Sequence, residues 1–200
     1  MRIPLFVCSA ATLVLVAVGP ALAADTHLRG TIKTADGGTV VVHTREGQDV
    51  TLKLGSDFKV AGVVKASMAD IKPGTFIGTA NAAGPDGAKA LEVVVFPEAM
   101  RGTGEGDYGW DLKPGSSMTN ATVSNPVQGV DGQTVTLTYK GGTKKVAIPT
   151  GTPVVTIVPA TVADLVAGAT VFVASPAAPV DGMLAKGFVA VGKDGAVPPM

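Results

Sequence analysis

Two stretches of the chain carry the same turn punctuation at nearly the same spacing, and this internal repeat limits the fold to one small sheet motif built twice. The first unit spans residues 28–96 and the second 118–192. Thr31-Ile32 followed by Asp36-Gly37-Gly38-Thr39-Val40-Val41-Val42 is answered by Thr122-Val123 followed by Asp131-Gly132-Gln133-Thr134-Val135-Thr136-Leu137. Each reads as strand, tight turn, strand, because an Asp-Gly pair supplies the turn and the β-branched run supplies a pleated, half-buried surface. A third strand follows in each unit at 49–54 and 144–148, led in by Glu46-Gly47 or Gly141-Gly142.

The second part of each unit opens on a hydroxyl residue three positions before an aspartate, Ser67 to Asp70 and Thr161 to Asp164. That spacing predicts a single capped helical turn in which the carboxylate reaches back to the amide of the cap. Pro73 with Gly74 in one unit, and Gly168 in the other, stop it from growing into a helix. Strands at 75–80 and 169–174 come next. A further turn, Asp86-Gly87 or Asp181-Gly182, precedes last strands at 91–96 and 188–191. Five or six short strands per unit must remove their edges, and a partly open barrel does so economically. The expected fold class is therefore all-β: two tandem small, partly open antiparallel β-barrels, OB-like, each with one short capped turn. Units of about 70 residues are near the lower limit for one core, so the two are expected to pack together. Residues 97–117 read as a Gly-rich acidic and aromatic linker, and 193–200 as a C-terminal tail.

The order of first strand, D-G turn, hairpin, S/T-x-x-D-[IL]-x-x-G turn and two more strands around another D-G resembles the repeat of exported bacterial proteins of unknown function. The resemblance covers 28–96 and 118–192 and implies the barrel repeat, with no catalytic residues to carry over. Relatives with a similar ending, Val191-Gly192-Lys193-Asp194-Gly195-Ala196-Val197-Pro198-Pro199-Met200 here, are expected to bear metal-transporter-permease labels. A permease function conflicts with the absence of any spanning apolar stretch after Val18.

Export is expected from the first 23 residues. Arg2 supplies a charged start, an apolar run follows from Leu5 to Val18, and Gly19-Pro20 precedes Ala21-Leu22-Ala23, an A-x-A cleavage site. The run is shorter than the roughly 20 residues that span a bilayer. The mature chain is expected to be periplasmic or secreted, with no transmembrane segment. Cys8 is the only cysteine and leaves with the leader, which excludes disulfides, thiol nucleophiles and Cys-ligated zinc. Cleavage removes Arg2 from the 16 Lys and Arg and none of the 16 Asp and Glu, so the mature formal charge is −1. A chain with no basic surplus is not expected to bind nucleic acid.

Candidate site residues are few. His43 follows Val40 and Val42 on one strand, and period-two alternation points it outward. His27 gains meaning from the cleavage point: a cut after Ala24 leaves Asp25-Thr26-His27, whose amine, two amides and imidazole can form a square-planar Cu(II) or Ni(II) site. A cut after Ala23 fits the A-x-A rule better and loses that chelate. In the linker, Glu105, Asp107 and Asp111 are candidate oxygen ligands for Ca²⁺, although the spacing lacks the density of known calcium loops. Tyr108 and Trp110, two apart, either present an aromatic face to a ligand or wedge between the barrels, and Arg101 stands in the same segment as a further candidate contact. No G-x-S-x-G turn is present. The expected function is a non-enzymatic periplasmic binding or structural module for a protein, glycan or small ligand. Periplasmic metal handling is the alternative, and a two-carboxylate hydrolase a weaker one.

Overall fold

The computed structural model describes residues 26–85, 87–129 and 131–199. The leader 1–23, the two alternative cuts, Asp25 and Asp86 lie outside the described residues. The fold is all-β. The first unit contributes β1 (Thr26–Asp36), β2 (Thr39–Thr44), β3 (Asp49–Lys53), β4 (Phe58–Lys65), β5 (Phe76–Gly84) and β6 (Gly87–Val95). An intervening β7 (Gly106–Trp110) leads to β8 (Ser116–Gly129), β9 (Gly132–Tyr139), β10 (Gly142–Pro149), β11 (Val154–Pro159), β12 (Thr170–Ser175), β13 (Met183–Leu184) and β14 (Gly187–Gly192). Short 3-10 turns lie at Met68–Asp70, Glu98–Met100 and Val162–Asp164. No helix among the described residues is long and apolar enough to cross a membrane.

Strand alternation follows the sequence. Val40 and Val42 of β2 are buried while His43 is exposed, and Val135 and Leu137 occupy the matching inward positions of β9. In the capped turns, Asp70 accepts from the amide and hydroxyl of Ser67 at 2.8 and 2.9 Å. Asp164 accepts from the amide and hydroxyl of Thr161 at 2.8 and 3.4 Å.

Strand pairing corrects the expected arrangement of two consecutive, self-contained barrels. The order is β10-β9-β8-β5-β6-β11-β4-β14-β12-β1-β2-β3-β13. Apart from the short β13, it reads the same from either end once each strand is exchanged for its counterpart in the other unit. The first three strands of each unit pair with the last strands of the other: β8 with β5, and β1 with β12, both antiparallel. The cause is a pair of strands that the turn signals do not reveal, β4 and β11, which lie antiparallel against each other at the centre. Eight extended residues in β4 span roughly 26 Å. This carries the chain out of its own half, so β5 and β6 complete the other one.

The capped turns fasten this exchange reciprocally. After the first, Gly74 N–H donates to the Val123 carbonyl at 2.7 Å and Val123 N–H to the Thr75 carbonyl at 2.8 Å. After the second, Gly168 N–H donates to the Ile32 carbonyl at 2.8 Å and Ile32 N–H to the Ala169 carbonyl at 2.9 Å. Both cores are accordingly mixed. One packs Ile32, Val42 and Leu52 against Leu165, Val173 and Val189, and the other packs Ile71, Ile77 and Val93 against Val123, Leu137 and Ile148. Peeling the units apart would expose both cores at once, at roughly 1.5–3 kcal/mol per large apolar side chain.

One half closes completely. β10 pairs with β6 in parallel, and β8, β9, β10, β6 and β5 form a five-stranded barrel. In the other half the counterpart of β6 is broken: β13 pairs with β3, β14 pairs with β4 and β12, and Ala185-Lys186 interrupt them. A third apolar cluster, including Val63, Val94, Val155, Ile157 and Phe172, fills the seam between the halves. The C-terminal segment is tied to this body rather than loose. Ala196 is buried, and Lys193 Nζ donates to Asp164 Oδ1 at 2.7 Å.

Candidate functional site

The stretch expected to be a linker adds β7 to the edge of β8, from Gly106↔Asn120 to Trp110↔Ser116. Ser116 fixes the end of this strand by donating to the Trp110 carbonyl at 2.9 Å. The strand then delivers Trp110 and Asp111 onto the start of β1 in the other half. Trp110 stacks on His27 with ring centroids 4.3 Å apart and lies 6.3 Å from Phe172. Asp111 Oδ1 accepts from Arg29 Nη2 at 2.7 Å, and Asp111 Oδ2 lies 3.2 Å from His27 Nδ1. A carboxylate only accepts, so Nδ1 is the donor in this contact. Arg29 also lies 5.3 Å from the Phe172 ring centre.

Asp111 is pulled in two directions. Burial raises its carboxyl, but the hydrogen bond and charge of Arg29, with His27 helping, more than offset this and hold it below its ordinary value.

The two aromatic residues of β7 have different roles. Trp110 packs, partly buried, against the seam cluster. Tyr108 lies edge-on to it with centroids 6.3 Å apart and remains 41 % exposed, which suits a ligand contact. Its hydroxyl accepts from Asn120 Nδ2 at 3.2 Å, and burial pushes it up from its ordinary value, so it remains a phenol at neutral pH. His27, Tyr108, Gly109, Trp110 and Asp111 line an open pocket of about 540 Å³. On the other side of His27 lies a second pocket of about 390 Å³, lined also by Asp57, Lys59, Ser175, Pro176 and Phe188. A third, of about 370 Å³, shares Asp57 and Ser175 with the second and continues to Val180, Met183 and Lys186. The three form a series along the interrupted half.

The other candidates fall elsewhere. Arg101 is engaged by Glu98 at 2.6 Å, by the Gly74 carbonyl at 2.8 Å and by Thr122 at 3.3 Å, and lines none of these pockets. It anchors the segment leading to β7 and does not contact the site. Glu105 accepts from the Lys140 amide at 2.9 Å, and Asp107 pairs with Lys144 at 2.9 Å. These carboxylates are thus held by separate partners, and no group of three His, Cys, Asp or Glu converges among the described residues. His27 lies within the ladder opposite Ala174, so a square-planar chelate through the amides of Thr26 and His27 would have to unpair this end of β1 from β12. Asp25, the remaining member of that set, lies outside the described residues. His43 accompanies Lys33 on Asp49, both at 2.7 Å, on the exposed face.

Sequence reading did not anticipate a polar network beneath β7. Asn81 Nδ2 donates to Thr119 Oγ1 at 3.0 Å, and Thr119 Oγ1 donates to Asp107 Oδ1 at 2.8 Å. Lys144 Nζ donates to Ser117 Oγ at 2.8 Å, while Ser117 directs its own proton to Asn81 Oδ1 at 3.2 Å. Lys144 Nζ also donates to Asp107 Oδ1 at 2.9 Å, so the network links β5, β7, β8 and β10. The only advance signal was the alternation of small polar residues in Ser117, Thr119 and the aspartate at 107.

Compared with known proteins, the chain matches no protein-family model, no curated protein and no solved structure.

Proposed function

We propose that this is an exported, non-enzymatic binding protein whose ligand docks on the surface around His27, Tyr108 and Asp111. The observation that carries this reading is the convergence of residues more than 80 positions apart, Arg29 and His27 with Asp111, around an open pocket beside an exposed tyrosine. Concave surfaces with an aromatic wall and a few convergent polar groups are the usual form of a binding site. The leader supports a periplasmic address. The strand-exchanged sheet, with its closed five-stranded barrel, supplies a rigid frame.

The test is differential capture. The mature chain and a His27→Ala/Tyr108→Ala variant of equal thermal stability are immobilised and exposed to the same periplasmic extract. A species retained only by the unaltered chain supports the reading; identical retention by both contradicts it. Intact mass of the secreted protein gives the cut directly, with a start at Ala24 expected from the A-x-A rule.

A further inference from the structure

Resting on that binding reading, we infer that the groove through His27 takes a neutral oligosaccharide in extended form. Its shape is the first ground. His27 lines the pocket at Tyr108 and the pocket at Phe188, and Asp57 with Ser175 joins the latter to the pocket at Met183. Adjoining pockets in a series suit a linear chain of similar units better than one compact molecule.

The chemistry of the walls is the second ground. Tyr108 offers an exposed ring at one end and Phe188 a half-buried ring in the middle, and such faces stack on the apolar C–H face of a sugar ring. Around them donors and acceptors alternate: Asp111 and His27, then Asp57, Lys59 and Ser175. A hydroxyl both donates and accepts, so it satisfies a carboxylate on one side and an ammonium on the other. Arg29 already serves Asp111, so its charge is not free for an anionic ligand. The other two pockets carry both signs of charge, Lys53, Lys59 and Lys186 with Asp57 and Asp181. In both of these pockets a strongly acidic polymer would meet a carboxylate, Asp57 or Asp181, and a cationic one a lysine. A neutral, hydroxyl-rich chain meets neither penalty.

Trp110 is the only tryptophan, it touches His27, and its emission therefore reports on the groove. The mature chain is titrated with neutral gluco-, malto- and fully N-acetylated chito-oligosaccharides, with oligogalacturonate, and with an uncharged extended peptide. At least one neutral oligosaccharide is expected to shift the emission saturably, with about tenfold weaker binding in both Lys59→Ala and Tyr108→Ala. The Lys59 variant alters an exposed side chain and guards against loss of fold. Binding of the acidic oligomer or the peptide, with no neutral sugar bound, overturns the saccharide assignment and leaves the binding site standing. Neutral-sugar binding unaffected by either variant places the ligand elsewhere and overturns the groove. No response to any probe, together with identical capture by the two immobilised chains, overturns both readings.

Discussion

The two halves share a strand order and differ at one strand. In the closed half β6 runs unbroken for nine residues, reaching β10 with Ala88 and Lys89 and β11 with Val93 to Val95. In the other half the same path is divided between β13 and β14, and a loop through Pro176 and Val180 precedes it. The closed half is thereby a scaffold. The interrupted half gains an open mouth, and β7, though attached to the scaffold, lays Trp110 and Asp111 across it. Under the binding reading proposed above, the break in this single strand divides a scaffold half from a binding half.

Buried positions on the third strand of each half should feel this difference most. Ile148 in the closed ring and Leu52 beside β13 are both almost fully buried. Truncation to alanine should cost about 4 kcal/mol at Ile148 and about 2 kcal/mol at Leu52, because a closed ring collapses less readily onto a cavity. Urea unfolding of both variants checks this, and the reverse order would mean that the interruption does not loosen its half.

The hairpin glycines sharpen the contrast. Gly132 has a φ of +135°, and a Cβ there would lie 2.3 Å from the Ile148 carbonyl oxygen, whereas Gly37, with a φ of +52°, has nothing within 4 Å. Gly37→Ala should cost about 1 kcal/mol for the left-handed backbone alone. Gly132→Ala should cost at least about 2 kcal/mol more, since backbone must move, and thermal melts of the two variants would measure the gap.

At the seam, Trp110→Ala should remove about 2–3 kcal/mol, less than a fully buried tryptophan, and lower the Tm by several degrees. An unchanged Tm would place Trp110 wholly in ligand contact.

The smallest effect is electrostatic. Asp111 titrates below the ordinary carboxylate value, so its pairing with Arg29 and His27 stabilises the fold above about pH 4 and is lost as pH falls further. The stability gap between the unaltered chain and Asp111→Asn should therefore shrink on acidification below about pH 4. A gap independent of pH would show that the ion pair contributes nothing.

Much of this was legible in residues that act locally. Asp-Gly pairs mark the hairpins, Ser67 with Asp70 and Thr161 with Asp164 mark the capped turns, and alternation places Val40, Val42, Val135 and Leu137 inward. Partner choice is not local. Turn chemistry does not say that Gly74 will dock on Val123 and Gly168 on Ile32, and so the exchange was hidden. Val60, Val63 and Val64, broken by Gly62, and the β-branched run 154–158 between Pro153 and Pro159 were the missed sign of β4 and β11. In the site, the spacing of Tyr108 and Trp110 announced a shared strand face, but which ring would be buried depends on Phe172 and the seam. His27 and Asp111 were each singled out as metal ligands; their meeting is a product of β7 crossing between halves, which no spacing encodes.

The division between scaffold and binding half is tested most directly by amide chemical-shift mapping of the mature chain with the oligosaccharide that shifts Trp110 emission. The closed half offers a rival pocket of about 390 Å³ lined by Ala88, Lys89, Gln133 and Ile148. Perturbations should cluster at His27, Lys59, Tyr108 and Phe188 in and across from the interrupted half. Perturbations centred on Lys89 and Gln133 instead would contradict the assignment.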